Sequence, residues 1–178
     1  MHLWLPEPIS TTAPLIDHLF YVVLWITGIV FVGVQLTLVA FLIRYRKRDG
    51  QKAQYIHGNV LVEIIWTVIP ALILIWLATH SQRVWAQVRG LPARADLHIE
   101  VTGEQFAWNV RYAGADGQLG TLDDLLTINQ MHLPLNQTVL IHLKSKDVIH
   151  SFFVPQFRMK QDAVPGITTR MWVSATKP

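Results

Sequence analysis

Two long apolar runs dominate the first half of the chain, and short alternating runs fill the second. The stretch from Leu19 to Ile43 contains no charged residue. A bilayer core about 30 Å thick needs about 20 helical residues, so a span over roughly His18–Ile43 crosses it with some tilt. A second span is expected from about Val60 to Thr79. Pro70 lies inside it, and a membrane helix tolerates such a kink. The first run is longer than the apolar core of a signal peptide, about 7–15 residues, and no basic segment precedes it.

From Asp96 onward the period changes. Leu97-His98-Ile99-Glu100-Val101 alternates, as a half-buried strand does. Phe106–Tyr112, Thr138–Leu143, Val148–Val154 and Thr169–Ala175 are four further strand candidates. Turn signals separate them: Gly114-Ala115-Asp116-Gly117, Leu133-Pro134-Leu135-Asn136 and Val164-Pro165-Gly166. Short strands with frequent turns predict a β-sandwich or Greek-key barrel. The expected organisation is an external tail (1–17), a transmembrane helical hairpin (18–82) with a loop at 44–59, a linker (83–95) and a β domain (96–178). About five strands are few for a closed sandwich, and an open edge is expected after the last of them. Either another polypeptide completes the sheet or the sequence is cut short.

Charge orients the hairpin. The 44–59 loop holds Arg44, Arg46, Lys47, Arg48 and Lys52, whereas the N-terminal tail holds no Lys or Arg. Positive loops stay cytoplasmic, so both ends of the chain are expected on the outer side. Trp4, Trp25, Trp76, Trp85, Tyr21 and Tyr45 fall mostly near span ends, at headgroup level. The net charge of +3 comes from the bases flanking the spans, because residues 96–178 are nearly balanced. Nucleic-acid binding is therefore not expected. The 178 residues contain no cysteine, which excludes disulfides and any thiolate metal site built from these residues alone.

Glu63 lies just inside the second span. A carboxylate there either faces protein or water on a proton pathway or snorkels to the nearby interface, and position alone leaves both readings open. A lone histidine on a strand is ordinarily a polar surface or core residue. His150 sits instead in the string Asp147-Val148-Ile149-His150-Ser151-Phe152-Phe153-Val154-Pro155, followed by Lys160-Gln161-Asp162-Ala163-Val164-Pro165-Gly166. Together with Leu61-Val62-Glu63-Ile64-Ile65-Trp66-Thr67-Val68-Ile69-Pro70, it resembles subunit II of the haem–copper respiratory oxidases, and in particular cytochrome c oxidase subunit II. The resemblance covers the hairpin, the linker and most of a cupredoxin-like domain.

The resemblance implies roles. His150 corresponds to one histidine ligand of the dinuclear copper centre CuA, and imidazole suits copper. Glu63 corresponds to a carboxylate at the entrance of a proton pathway into subunit I. Lys160 and Asp162 correspond to residues at the subunit I interface, near the haem propionates and a magnesium site, with an orienting role rather than direct ligation. Haem and CuB would lie in subunit I. Subunits I and III, membrane lipid and a cytochrome c-type donor, free or held in a supercomplex, would be partners. The bacterial inner membrane would be the location.

Three departures from the family pattern stand out. The C-x-E-x-C-x-x-x-H-x-x-M string that completes CuA in the family is not among these residues. The family's Gln-Trp-x-Trp reads Gln105-Phe106-Ala107-Trp108 here, so Phe106 takes the position associated with electron entrance, and Trp108 follows it. The run Ala115–Asp124 faintly resembles a calcium loop but lacks its D-x-D-x-D-G spacing and terminal Glu, as a surface hairpin insertion would. The leading expectation is part of a split subunit II, completed by a second, cysteine-bearing chain, or a truncated ordinary one. The competing expectations are a CuA-less subunit II of quinol-oxidase type and a non-redox, membrane-anchored assembly module.

Overall fold

A computed structural model describes every residue except 1–4, 51, 53, 54 and 56, so the expectation for Trp4 lies outside the described residues. The chain divides into two compact units. Residues 18–83 form one, and residues 1–17 with 84–178 form the other.

Helix α1 runs Ala13–Arg44 and α2 runs Val60–Arg89. Both are long and apolar enough to cross a membrane. Helix α1 starts five residues before the expected span because its start is set by a cap rather than by hydropathy. The Ser10 hydroxyl accepts the Ala13 N–H at 3.1 Å, and Pro14 fits the first turn, where an N–H has no helical partner. Helix α2 starts at Asn59, whose side-chain oxygen accepts the N–H groups of Leu61 and Val62 at 3.0 and 3.3 Å. It runs ten residues past the expected span, because nothing between His80 and Arg89 breaks a helix. Gly90 follows it and Pro92 stands beyond, the usual residues past a helix C-terminus. Thr27, Thr37, Thr67 and Thr79 donate their hydroxyls back to carbonyls one turn earlier, so no hydroxyl among these four lacks a partner on the apolar surface.

Seven strands make the β domain: β1 Leu97–Glu104, β2 Ala107–Tyr112, β3 Leu125–Ile128, β4 Val139–Ser145, β5 His150–Val154, β6 Met159–Ala163 and β7 Thr169–Val173. The expected number, about five, was too low. Strand β3 lies beyond the insertion-like loop. Strand β6 is short and polar, and it is joined to β5 by the single 3-10 turn Pro155–Phe157. Five strands form one sheet in the order β3-β2-β1-β4-β7, and β5 and β6 form a second, two-stranded sheet. Strands β1 and β4 are parallel, while the other pairs are antiparallel.

Alternation decides what β1, β4 and β7 bury. Ile99 and Val101 of β1, Val139, Ile141 and Leu143 of β4, and Met171 and Val173 of β7 point inward. They meet Phe152 of β5, Met159 and Ala163 of β6, and Phe157 of the turn. Ile99, Val101, Ile141, Leu143 and Ala163 are fully excluded from water. Each of the four larger side chains among them contributes roughly 1.5–3 kcal/mol by burial. The opposite face of the large sheet carries His98, Glu100, Arg111, His142 and Lys144, where Glu100 pairs with Lys144 and Arg111.

The N-terminal tail belongs to this unit. Ser10 bridges Ala175, Thr11 donates its N–H to Ser174, and the Thr176 N–H donates to Ile9. Arg158, at φ 58°, reaches back with its guanidinium and holds both carboxylate oxygens of Asp17, at 2.6 and 2.9 Å. The same guanidinium donates to the carbonyls of Pro6 and Pro155. Both charged side chains are more than 90% buried.

Candidate functional site

His150 opens β5 and is placed by the turn before it. Its Nε2 lies 2.7 Å from Asp147 Oδ1. Asp147 is itself held, accepting the backbone N–H of Gln105 from the β1–β2 turn and that of Val148, each at 2.7 Å. The hydrogen bond from His150 and those two backbone donors pull the Asp147 carboxyl down to about 2, so it is an anion at neutral pH. An anionic acceptor beside Nε2 favours the tautomer that carries its proton there, in which Nδ1 is the nitrogen open to a ligand. A carboxylate behind one imidazole nitrogen is the arrangement that orients histidines toward metals.

The ring also rests on a built floor. Trp108 of β2 meets it edge-on, with centroids 5.8 Å apart, and meets Phe152 in the same manner at 5.5 Å. Gly103 of β1 lies beneath both rings. A Cβ there would sit 3.0 Å from two atoms of the imidazole and 3.0 Å from the indole, so glycine is what lets them approach. Residue spacing alone gave no sign of this role for Gly103. That of Asp147 was visible as a carboxylate three residues before the histidine.

Phe106 and Trp108 have separate surroundings. Phe106 stands at the tip of the β1–β2 turn and is 94% exposed, whereas Trp108 is partly buried against the histidine. Val148 and Ile149 are also exposed. Lys160 and Asp162 share the outward face of the small sheet, in register with Phe153 and Ser151 respectively. The Lys160 ammonium lies 6.0 Å from the Phe153 ring centroid. Glu63 belongs to the helical unit, in the first turn of α2, and is exposed. A helix N-terminus favours a negative charge there.

One imidazole on a fixed carboxylate fits one ligand position of a copper centre. It does not fit a whole dinuclear centre. Among the described residues no group of three or more His, Cys, Asp or Glu converges to hold a metal, and the sequence contains no thiol.

Comparison with known proteins gives consistent results. Residues 1–84 match the cytochrome c oxidase subunit II transmembrane domain, and residues 114–178 match the cytochrome c oxidase subunit II periplasmic domain. Cytochrome c oxidase subunit 2 of Thermostichus vulcanus is 31% identical over 99% of this chain and 67% of its own length. Alternative cytochrome c oxidase subunit 2 of Bradyrhizobium diazoefficiens is 32% identical over 96% of this chain and 69% of its own. A crystal structure of the periplasmic domain of cytochrome oxidase subunit II from Bradyrhizobium japonicum is 32% identical over 49% of this chain and 69% of that chain, with a TM-score of 0.39. The chain thus spans about two thirds of the length of these two relatives. Both family matches and the relatives together place this chain, with its two apolar helices and its β domain, in the cytochrome c oxidase subunit II family.

Proposed function

We propose that this chain works as subunit II of a haem–copper terminal oxidase, taking part in electron delivery from a cytochrome c-type donor to haem in subunit I, where oxygen is reduced to water. The observation that carries the reading is the His150–Asp147 pair. Its free Nδ1 offers one ligand for copper, and the thiolates that a dinuclear centre needs would come from outside these 178 residues. Copper would supply one-electron chemistry with little rearrangement, and this chain's share is to hold an imidazole in one tautomer and one orientation. Exposed Phe106, with Val148 and Ile149, offers an apolar tip for the donor. Lys160 and Asp162 would meet subunit I. The reading places the chain in a bacterial inner membrane with both termini outside, in agreement with the basic 44–59 loop.

The test is the purified oxidase carrying this chain, native and with His150→Ala. The expected result is loss of the mixed-valence copper signal in electron paramagnetic resonance and a fall in turnover of at least about 100-fold, the scale on which removing a metal ligand or its support acts. Sequencing of the co-purifying peptides shows whether the cysteines lie on a continuation of this chain or on a second one. Full turnover in His150→Ala sinks the proposal and favours a subunit II without CuA.

Glu63 is proposed as the entrance of a proton pathway. Its exposed place in the first turn of α2, beside the basic loop, supports that role. Glu63→Gln is expected to slow proton uptake while the complex still assembles. Unchanged uptake and turnover leave Glu63 as an interfacial carboxylate only.

A further inference from the structure

We propose that His98 and His142 form a second metal site, a two-histidine chelate for a divalent transition metal of zinc's borderline class, on the face of the large sheet turned away from the core. His98 lies on β1 and His142 on β4, the two strands that pair in parallel at the centre of the sheet. The register sets His98 opposite Leu140 and His142 opposite Glu100, so the histidines are diagonal neighbours on one face. Their ring planes are 24° apart, and Nδ1 of His98 lies 3.3 Å from Nε2 of His142.

That separation suits a shared metal. Zinc–imidazole bonds are about 2.0–2.1 Å long, and two of them at a tetrahedral angle put their nitrogens roughly 3.3–3.4 Å apart. The same contact meets the geometry of an N–H···N hydrogen bond between the rings, which a shared metal would replace. The two imidazoles are already at chelating distance on adjoining central strands, next in sequence to Ile99 and Ile141, which are fully buried and paired with each other. Little ordering remains to be done when the metal arrives.

Protonation and charge are compatible with binding. Burial and then the neighbouring His98 push the His142 imidazole below its usual range, the direction that favours the neutral ring a metal requires. Glu100, Lys144 and Arg170 are the charged groups facing His142, and Arg111 faces Glu100. Lys144 and Arg111 are both tied to Glu100, so their charge is largely answered locally. Arg170 remains as an opposing charge and limits the affinity. With two protein ligands, the other coordination positions stay open to water or to a small anion.

The test is zinc titration of the full chain in detergent by calorimetry, comparing the native protein with His98→Gln, His142→Gln, the double variant and His150→Gln. The native chain should take up one zinc that His150→Gln retains. Each single substitution on the pair should weaken that zinc at least about tenfold, and the double variant should lose no more than either single one, because a chelate fails as a unit. Unchanged melting of the metal-free variants shows that the sheet is intact, and the two substitutions lie on different strands, so one folding failure does not end the test. Equal zinc affinity in His98→Gln, His142→Gln and the native chain overturns the proposal. So does a zinc that disappears in His150→Gln.

Discussion

Ile29 in α1 and Leu125 in β3 are equally exposed, at 67% each. The same number describes opposite situations. Around Ile29, along the run from Trp25 to Ile43, large apolar side chains are exposed on every side of the helix. Beside Leu125 the neighbouring strand β2 has Val110 buried and Arg111 turned outward. Helices α1 and α2 are apolar on all sides because the medium they are built for is hydrocarbon. The β domain turns its apolar residues inward because its medium is water. Exposure alone is therefore silent about stability until the solvent is named.

The sharpest test lies where the two patterns meet in the sequence. Asp17 is a buried carboxylate two residues before the apolar run, held by Arg158. Asp17→Ala leaves a guanidinium buried without its counter-charge, which costs about 3–5 kcal/mol. Denaturant unfolding of the full chain in detergent, followed on the β domain's tryptophan signal, should show it. A loss below about 1 kcal/mol would mean that water reaches Arg158.

The next test acts on the comparison itself. Ile29→Arg places a charge at the middle of the expected span and should cost about 2.5–3.5 kcal/mol of membrane insertion. Leu125→Arg, at the same exposure, should change stability by no more than about 0.5 kcal/mol. Membrane-fraction yield reads the first and thermal unfolding reads the second. Similar outcomes at both positions would break the distinction drawn between the two media.

The smallest effect is expected at Asp147, on the wet tip of the domain. Its carboxyl titrates at about 2 in the folded chain, below the usual 3.8, because His150 and two backbone N–H groups favour the anion. A depressed carboxylate stabilises the fold above its unfolded pKa, and that contribution disappears as pH falls through the folded value. The native chain should therefore outlast Asp147→Asn above about pH 4 and converge with it toward pH 2. Melting curves across that range check the sign. A gap that widens in acid contradicts it.

The legible parts of the fold were those written in a repeated period. Two long apolar runs gave the helices, and the five strand candidates became β1, β2, β4, β5 and β7. Strand β6 stayed hidden because Met159-Lys160-Gln161-Asp162-Ala163 buries only its two ends. Strand β3 stayed hidden because Leu125, Leu126 and Ile128 are all exposed on an edge, so no alternation marks them. At the candidate site, His150 was legible through its surrounding string. Gly103 was not, since its role depends on two rings arriving from β2 and β5. Nor was the His98–His142 contact, because these residues are 44 positions apart and meet only through the β1–β4 register.

The bonds between residues 9–11 and 174–176 also set a schedule. The tail leaves the ribosome before its partner segment, which emerges roughly 160 residues later. At a synthesis rate of about 5–20 residues per second, the tail waits roughly ten to thirty seconds for that partner. Until then Ser10 has no Phe157 carbonyl to bond, Asp17 has no Arg158, and the first helix must be threaded into lipid without either. Insertion of the hairpin and closure of the β domain are thus separate events in time, and residues 9–11 dock only after residues 174–176 have been made.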